Sequence, residues 1–219
     1  VNRTGMNLLV NNAWSGSHVT NRGRGDICNY DYQADSGSGT STNKDRCTHL
    51  HATQNGTILN PDYIVINMGT NDFDNMSTTY QFGTWNGRGE DFPECSAKPT
   101  NFREAYAVML RRITTAYPLA KVYCCTVPCG NVKGSGLNEK NAVGVYLVEF
   151  NDAIREIATA YGCRVIELAT SGLNYNTLST LYEDGNLHPN EAGMERYYEI
   201  IRAALEDDDS TNVSCPRYS

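Results

Sequence analysis

Short, unbroken apolar runs alternate along this chain with stretches in which apolar residues return every three or four positions. Asn7-Leu8-Leu9-Val10, Tyr63-Ile64-Val65-Ile66-Asn67-Met68, Val122 to Val127 and Cys163-Arg164-Val165-Ile166-Glu167-Leu168 are of the first kind. A strand covered on one face alternates apolar and polar side chains, whereas one covered on both faces is apolar throughout. These runs therefore predict strands of a parallel sheet. Between them Phe102, Ala105, Tyr106, Met109, Leu110 and Ile113 keep the period of an amphipathic helix, which Tyr117-Pro118 ends. Val143 to Tyr161 repeats the period and stops at Gly162, and Glu191 to Leu205 follows Pro189-Asn190 as the last helix. Strands alternating with helices, joined by right-handed crossovers, predict a three-layer α/β/α sandwich with a mostly parallel sheet.

The 219 residues suit one domain, 1–219. The apolar runs fall far short of the roughly 20 residues that a membrane-crossing helix needs, so no membrane span is expected. Acidic residues outnumber basic ones for a net charge of −7, with no Lys/Arg cluster. Such a surface repels a phosphate backbone, and no nucleic acid partner is expected. Eight cysteines and Asn-x-Ser/Thr triplets at Asn2, Asn55, Asn75 and Asn212 tilt the expectation toward a secreted or cell-surface protein without fixing the compartment. Cys124 and Cys125 lie inside a strand run, where buried thiols act as small hydrophobes. Cys124 and Cys129 lack the second close pair that a structural zinc site uses, so no metal is expected. From Glu206-Asp207-Asp208-Asp209 onward, 206–219 reads as a flexible, solvated acidic tail.

Two long irregular stretches, Asn21 to Asn43 and Asp74 to Thr100, exceed what a minimal sandwich requires. The second carries Tyr80, Phe82, Trp85 and Phe92, and Tyr80 and Trp85 are expected in a wall of a substrate site; a loop packing on its own rings is the alternative. Open parallel sheets place ligands beyond the carboxyl ends of their strands. Polar clusters follow two of the predicted strands, at Asn11-Asn12-Ala13-Trp14-Ser15-Gly16-Ser17 and Gly69-Thr70-Asn71-Asp72, and a third, Asp184 to Asn190, precedes the last helix. Together they offer the parts of acyl transfer. The Gly16 N–H and the Asn71 carboxamide are neutral donors suited to a developing oxyanion. His188 suits a general base, and Asp184 a carboxylate that orients it.

In this order and context these segments resemble the second, third and fifth conserved blocks of the SGNH, or GDSL-type, hydrolases, from about residue 7 to about 202. The resemblance implies a flavodoxin-like fold and hydrolysis of O-acyl esters on carbohydrates, lipids or small molecules, with no cofactor. The family's first block, Gly-Asp-Ser, carries its nucleophile and is absent. Asp35-Ser36-Gly37 and Gly25-Asp26-Ile27 echo it but follow no β run, and Ser15 and Ser17 read as shaping the Gly16 loop. The chain opens on Val1-Asn2-Arg3-Thr4, without Met, so the expectation is an N-terminally truncated domain, inactive without an upstream serine. In the family's strand order the absent first strand lies between those at 7–10 and 63–68, leaving two sheet edges unpaired.

The family's Asp-x-x-His spacing is also lengthened here to three intervening residues, so either Asp184 still reaches the ring or a backbone carbonyl orients it. Each site residue has a plainer alternative: His188 as a structural group by the last helix, Asn71 bonded to a neighbouring loop, Asp72 as an N-cap, Gly16 as a turn glycine, and His49 and His51 as a surface pair. The rival function is a non-catalytic carbohydrate-binding protein on the same fold, separable by the sequence upstream of Val1. A redox domain is disfavoured because no Cys-x-x-Cys pair occurs.

Overall fold

A computed structural model describes residues 5–9, 11, 13, 15–20, 47, 60–85, 99–129, 140–184 and 187–211. In chain order the elements are β1 (Tyr63–Ile66), α1 (Thr70–Asp74), α2 (Phe102–Ala116), β2 (Lys121–Cys125), α3 (Leu147–Ala160), β3 (Arg164–Ile166), α4 (Leu178–Leu181) and α5 (Glu191–Thr211). Single 3-10 turns, Leu168–Thr170 and Tyr175–Thr177, join β3 to α4. The strands lie in the order β1-β2-β3 and both pairings are parallel, with Ile66 opposite Cys124 and Cys125 opposite Ile166.

Successive strand residues point to opposite faces, and both faces of β2 are buried. Val122 and Cys124 face Phe102, Tyr106, Phe150 and Ile154 of α2 and α3, while Tyr123, Cys125 and Ile166 face Tyr182 and the α5 residues Tyr197 and Leu205. Helices on both sides of the sheet make the predicted α/β/α sandwich. Cys124 and Cys125 are fully buried free thiols, as expected of small hydrophobes.

Several boundaries differ from the sequence expectation. Residues 6–9 form no strand, and Leu8 and Leu9 are exposed; Val10 lies outside the described residues. A strand needs a neighbour for its N–H and C=O groups, and among the described residues β1 pairs with β2 alone. Helix α3 starts at Leu147 and not Val143, because the Asn141 side chain accepts the Val143 and Val145 N–H groups (3.2 and 3.0 Å) and Gly144 turns with φ 93°. Helix α5 runs six residues past Leu205, so the expected acidic tail is helical through Thr211, with 212–219 outside the described residues. Apolar periodicity marks the buried face of a helix, and no breaker follows Leu205 to end it there.

Candidate active site

Parallel pairing brings the carboxyl ends of β1, β2 and β3 to one rim, and each continues into a segment with a buried polar anchor. After β1, Gly69 turns the chain into α1 with φ 124°, where an added Cβ would meet Phe150 and Val127 at 3.0 and 3.2 Å. Only glycine fits both that conformation and that space. The turn presents Asn71 and Asp72 to the segment 15–20. The Asn71 Nδ2 donates to the Ser17 carbonyl (3.1 Å), and Asp72 accepts from the Val19 and Thr20 N–H groups (2.8 and 2.9 Å) and the Thr20 hydroxyl (2.7 Å). Asn71 is thus bonded to the residue that follows Gly16. Gly16 adopts φ 75°, which explains glycine there.

Asp72 is fully buried and sits inside α1, so the N-cap reading is corrected: Gly69 takes that position. Burial pushes its carboxyl up from the ordinary value, against the three hydrogen bonds and the nearby half-buried His18, which favour the carboxylate. The Ser17 hydroxyl is directed at the Met68 sulfur (4.0 Å), in keeping with a loop-shaping serine.

The second unit precedes α5. His188 Nδ1 lies 2.6 Å from Asp184 Oδ2, while Asp184 Oδ1 accepts the N–H groups of Leu187 and His188 (2.8 and 3.1 Å). The longer spacing therefore still lets Asp184 orient the ring, and the backbone-carbonyl alternative is not the one seen; Gly185 lies outside the described residues. A bridge between Tyr182 and Pro189 closes the turn, with the Glu183 N–H on the His188 carbonyl (2.8 Å). Asn190 ties the turn to α4 through Thr180 (2.8 Å). The His188 side chain is 72% exposed, open to an incoming molecule.

The segment that follows β2 joins the two units. Asn151 of α3 grips Val127 by both its N–H and C=O (2.8 and 2.9 Å), and Val127 packs beside Gly69. Two residues on, the Cys129 carbonyl accepts the buried Tyr182 hydroxyl. The Asn71 turn and the Asp184–His188 turn thus flank one three-residue segment at one rim. Thr126 and Glu167 brace the same rim: Glu167 takes Arg155 through two bonds (2.7 and 2.8 Å), and Thr126 accepts the Ala169 N–H (2.9 Å). The Arg155 bond holds the Glu167 carboxyl below its ordinary value despite partial burial. Asn151, Tyr182 and Glu167 carry no sequence signal for these roles, since each is read only through residues distant in the chain.

Of the aromatic loop, residues 74–85 and 99–100 are described. Phe82 stacks on Phe102 and Phe150 (centroids 6.5 and 5.9 Å), and Trp85 packs against the same core cluster, so core packing accounts for both rings. Tyr80 is half-buried in a turn closed by Ser77, and Phe92, His49 and His51 lie outside the described residues. A cleft of about 360 Å³ lined by Lys121, Cys163 and Arg164 opens at the opposite rim, away from these groups. Among the described residues no three His, Cys, Asp or Glu side chains are grouped so as to hold a metal ion, and no helix is long and apolar enough to cross a membrane.

Known proteins resemble this chain in sequence and fold. Residues 9–196 match the GDSL-like lipase/acylhydrolase family. An acetylxylan esterase from Xylanibacter ruminicola is 29% identical over 157 residues, 71% of this chain, and the chain spans 31% of that relative's length. A Lactobacillus plantarum protein shares the fold at TM-score 0.58 and 19% identity, covering 88% of this chain and 78% of its own. A protein from Bacteroides uniformis assigned to the GDSL-like lipases does so at TM-score 0.50 and 21% identity, covering 94% and 73%. The match over most of its length places this chain in the GDSL-like lipase/acylhydrolase family.

Proposed function

We propose that the protein is a serine esterase that removes O-acyl groups from carbohydrate esters. The observation that supports this reading is the imidazole held by Asp184 at 2.6 Å, taken with a glycine loop bonded to the Asn71 carboxamide. In such a site His188 takes the proton of an attacking serine through Nε2 while Nδ1–H stays on Asp184, then returns it to the departing alcohol. Bonded to the Ser17 carbonyl through one hydrogen, the Asn71 amide keeps its second for the oxyanion beside the Gly16 N–H. Neutral donors that need no reorganisation supply much of the stabilisation of a tetrahedral intermediate. The likeness to an acetylxylan esterase supports an acetylated sugar as the substrate class.

The nucleophile in this reading is a serine upstream of Val1, on a strand that pairs along the outer edge of β1. Support comes from that edge, where Val65 is 39% exposed in a strand whose register partner Tyr123 is buried, and from the engagement of the Ser17 hydroxyl elsewhere. The 219-residue chain alone is then inactive. The test is acetate release from acetylated xylo-oligosaccharide by the full-length protein. His188→Ala is expected to lower kcat by about 10⁴-fold or more with an unchanged urea midpoint, since the side chain is exposed. Equal kcat in the variant overturns the proposal.

A further inference from the structure

We infer that Asp72 is a positioning residue for the oxyanion donors, setting the distance and angle between the Gly16 N–H and the Asn71 carboxamide by gripping the segment 16–20. This rests on the esterase reading above. Asn71 and Asp72 are consecutive in α1, and between them they hold Ser17, Val19 and Thr20 by four hydrogen bonds of 2.7 to 3.1 Å. Fifty-four residues separate Gly16 from Asn71 in the sequence, so local connectivity does not hold the two donors in register. The bonds from α1 do.

A carboxylate is a costly choice for this work if stability were its only purpose. Removing an ionised group from water costs several kcal/mol, which paired hydrogen bonds often only offset. Its particular property is that it accepts at both oxygens and donates at neither. Two consecutive N–H groups, of Val19 and Thr20, must therefore both turn toward α1, which fixes the planes of two successive peptides. The Ser17 carbonyl is fixed in turn by Asn71. With those peptides set, the Gly16 N–H has little freedom left relative to the carboxamide. A donor displaced by about 1 Å costs on the order of 10²-fold in rate, so a clamp of this kind acts on kcat and leaves ground-state binding of substrate largely alone.

The experiment uses the full-length protein, with its serine, and compares Asp72→Asn, Thr20→Val and Thr20→Ser. Asp72→Asn puts an amide N–H against one of the loop donors. It is expected to lower kcat about 10²-fold with KM changed by less than about twofold. Labelling of the serine by an alkyl fluorophosphonate, in which the serine displaces fluoride while negative charge builds on the phosphoryl oxygen among the same donors, should slow in parallel. Thr20→Val removes one bond of the clamp and is expected to lower kcat roughly fivefold, while Thr20→Ser, which keeps the hydroxyl, retains more of kcat than Thr20→Val. Unfolding midpoints for each variant confirm that folded protein is assayed. Should Asp72→Asn fail to fold, the two Thr20 variants decide the matter, and equal kcat in both overturns the inference. An active, labelled wild type with kcat unaltered in the clamp variants rejects the clamp and keeps the esterase. A wild type that neither hydrolyses nor labels rejects the esterase reading and the clamp with it.

Discussion

At the scale of single residues, Asp184 shows how one side chain absorbs an insertion. With three residues between it and His188, one oxygen meets the ring while the other collects the N–H groups of Leu187 and His188. The carboxylate is thus both the partner of the imidazole and the organiser of the turn that carries it. Gly69 has a comparable dual constraint, a positive φ and a side-chain space already filled by Phe150 and Val127. Gly69→Ala is expected to destabilise the fold by about 1–3 kcal/mol, the usual cost of a strained backbone, with an added contribution from the crowded Cβ. A drop in urea midpoint at constant slope would register it, and an unchanged midpoint would show that the turn relaxes.

At the scale of elements, the legible parts of the fold were those whose signal is local. The apolar runs of β1, β2 and β3 and the periodic faces of α2 and α3 depend only on nearby residues, and each forms close to where the pattern places it. The start of α3 was misjudged because Asn141 competes for the backbone of Val143 and Val145, a contact that hydropathy does not register. Residues 7–9 form no strand because a strand is completed by its neighbour. In the candidate site, residue types suggest Gly16, Asn71, Asp184 and His188, while the bracing by Asn151, Tyr182 and Glu167 arises only once the chain has folded.

That bracing has a pH signature. The Glu167 carboxyl is held below the ordinary 4.5 by Arg155, so the folded state binds the proton less readily than the unfolded one. Its stabilising contribution is present above 4.5 and is lost as pH falls through the folded value. Both side chains are more than a third exposed, which keeps the contribution small. Glu167→Gln should therefore lower the urea midpoint slightly at about pH 7, and the gap to wild type should narrow as pH falls below 4.5. A gap that persists at the lower pH would assign the effect to packing.

At the scale of the whole molecule, β1 and β3 are the two edge strands of the sheet among the described residues. Strand β2 is covered on both faces and paired on both edges, whereas β1 offers an outer edge and a half-exposed valine. Two copies of the 219-residue chain meeting there about a twofold axis would run their β1 strands in opposite directions. The product would be a continuous six-stranded sheet, antiparallel at its middle and unlike the parallel pairing within each subunit. Concentrated solutions of this chain are thus expected to dimerise by light scattering, and Val65→Lys to keep them monomeric, as a lysine on a sheet edge does elsewhere. A segment that occupied the edge from within the same polypeptide would act as a built-in competitor, making the tendency to pair a measure of whether that segment is in place.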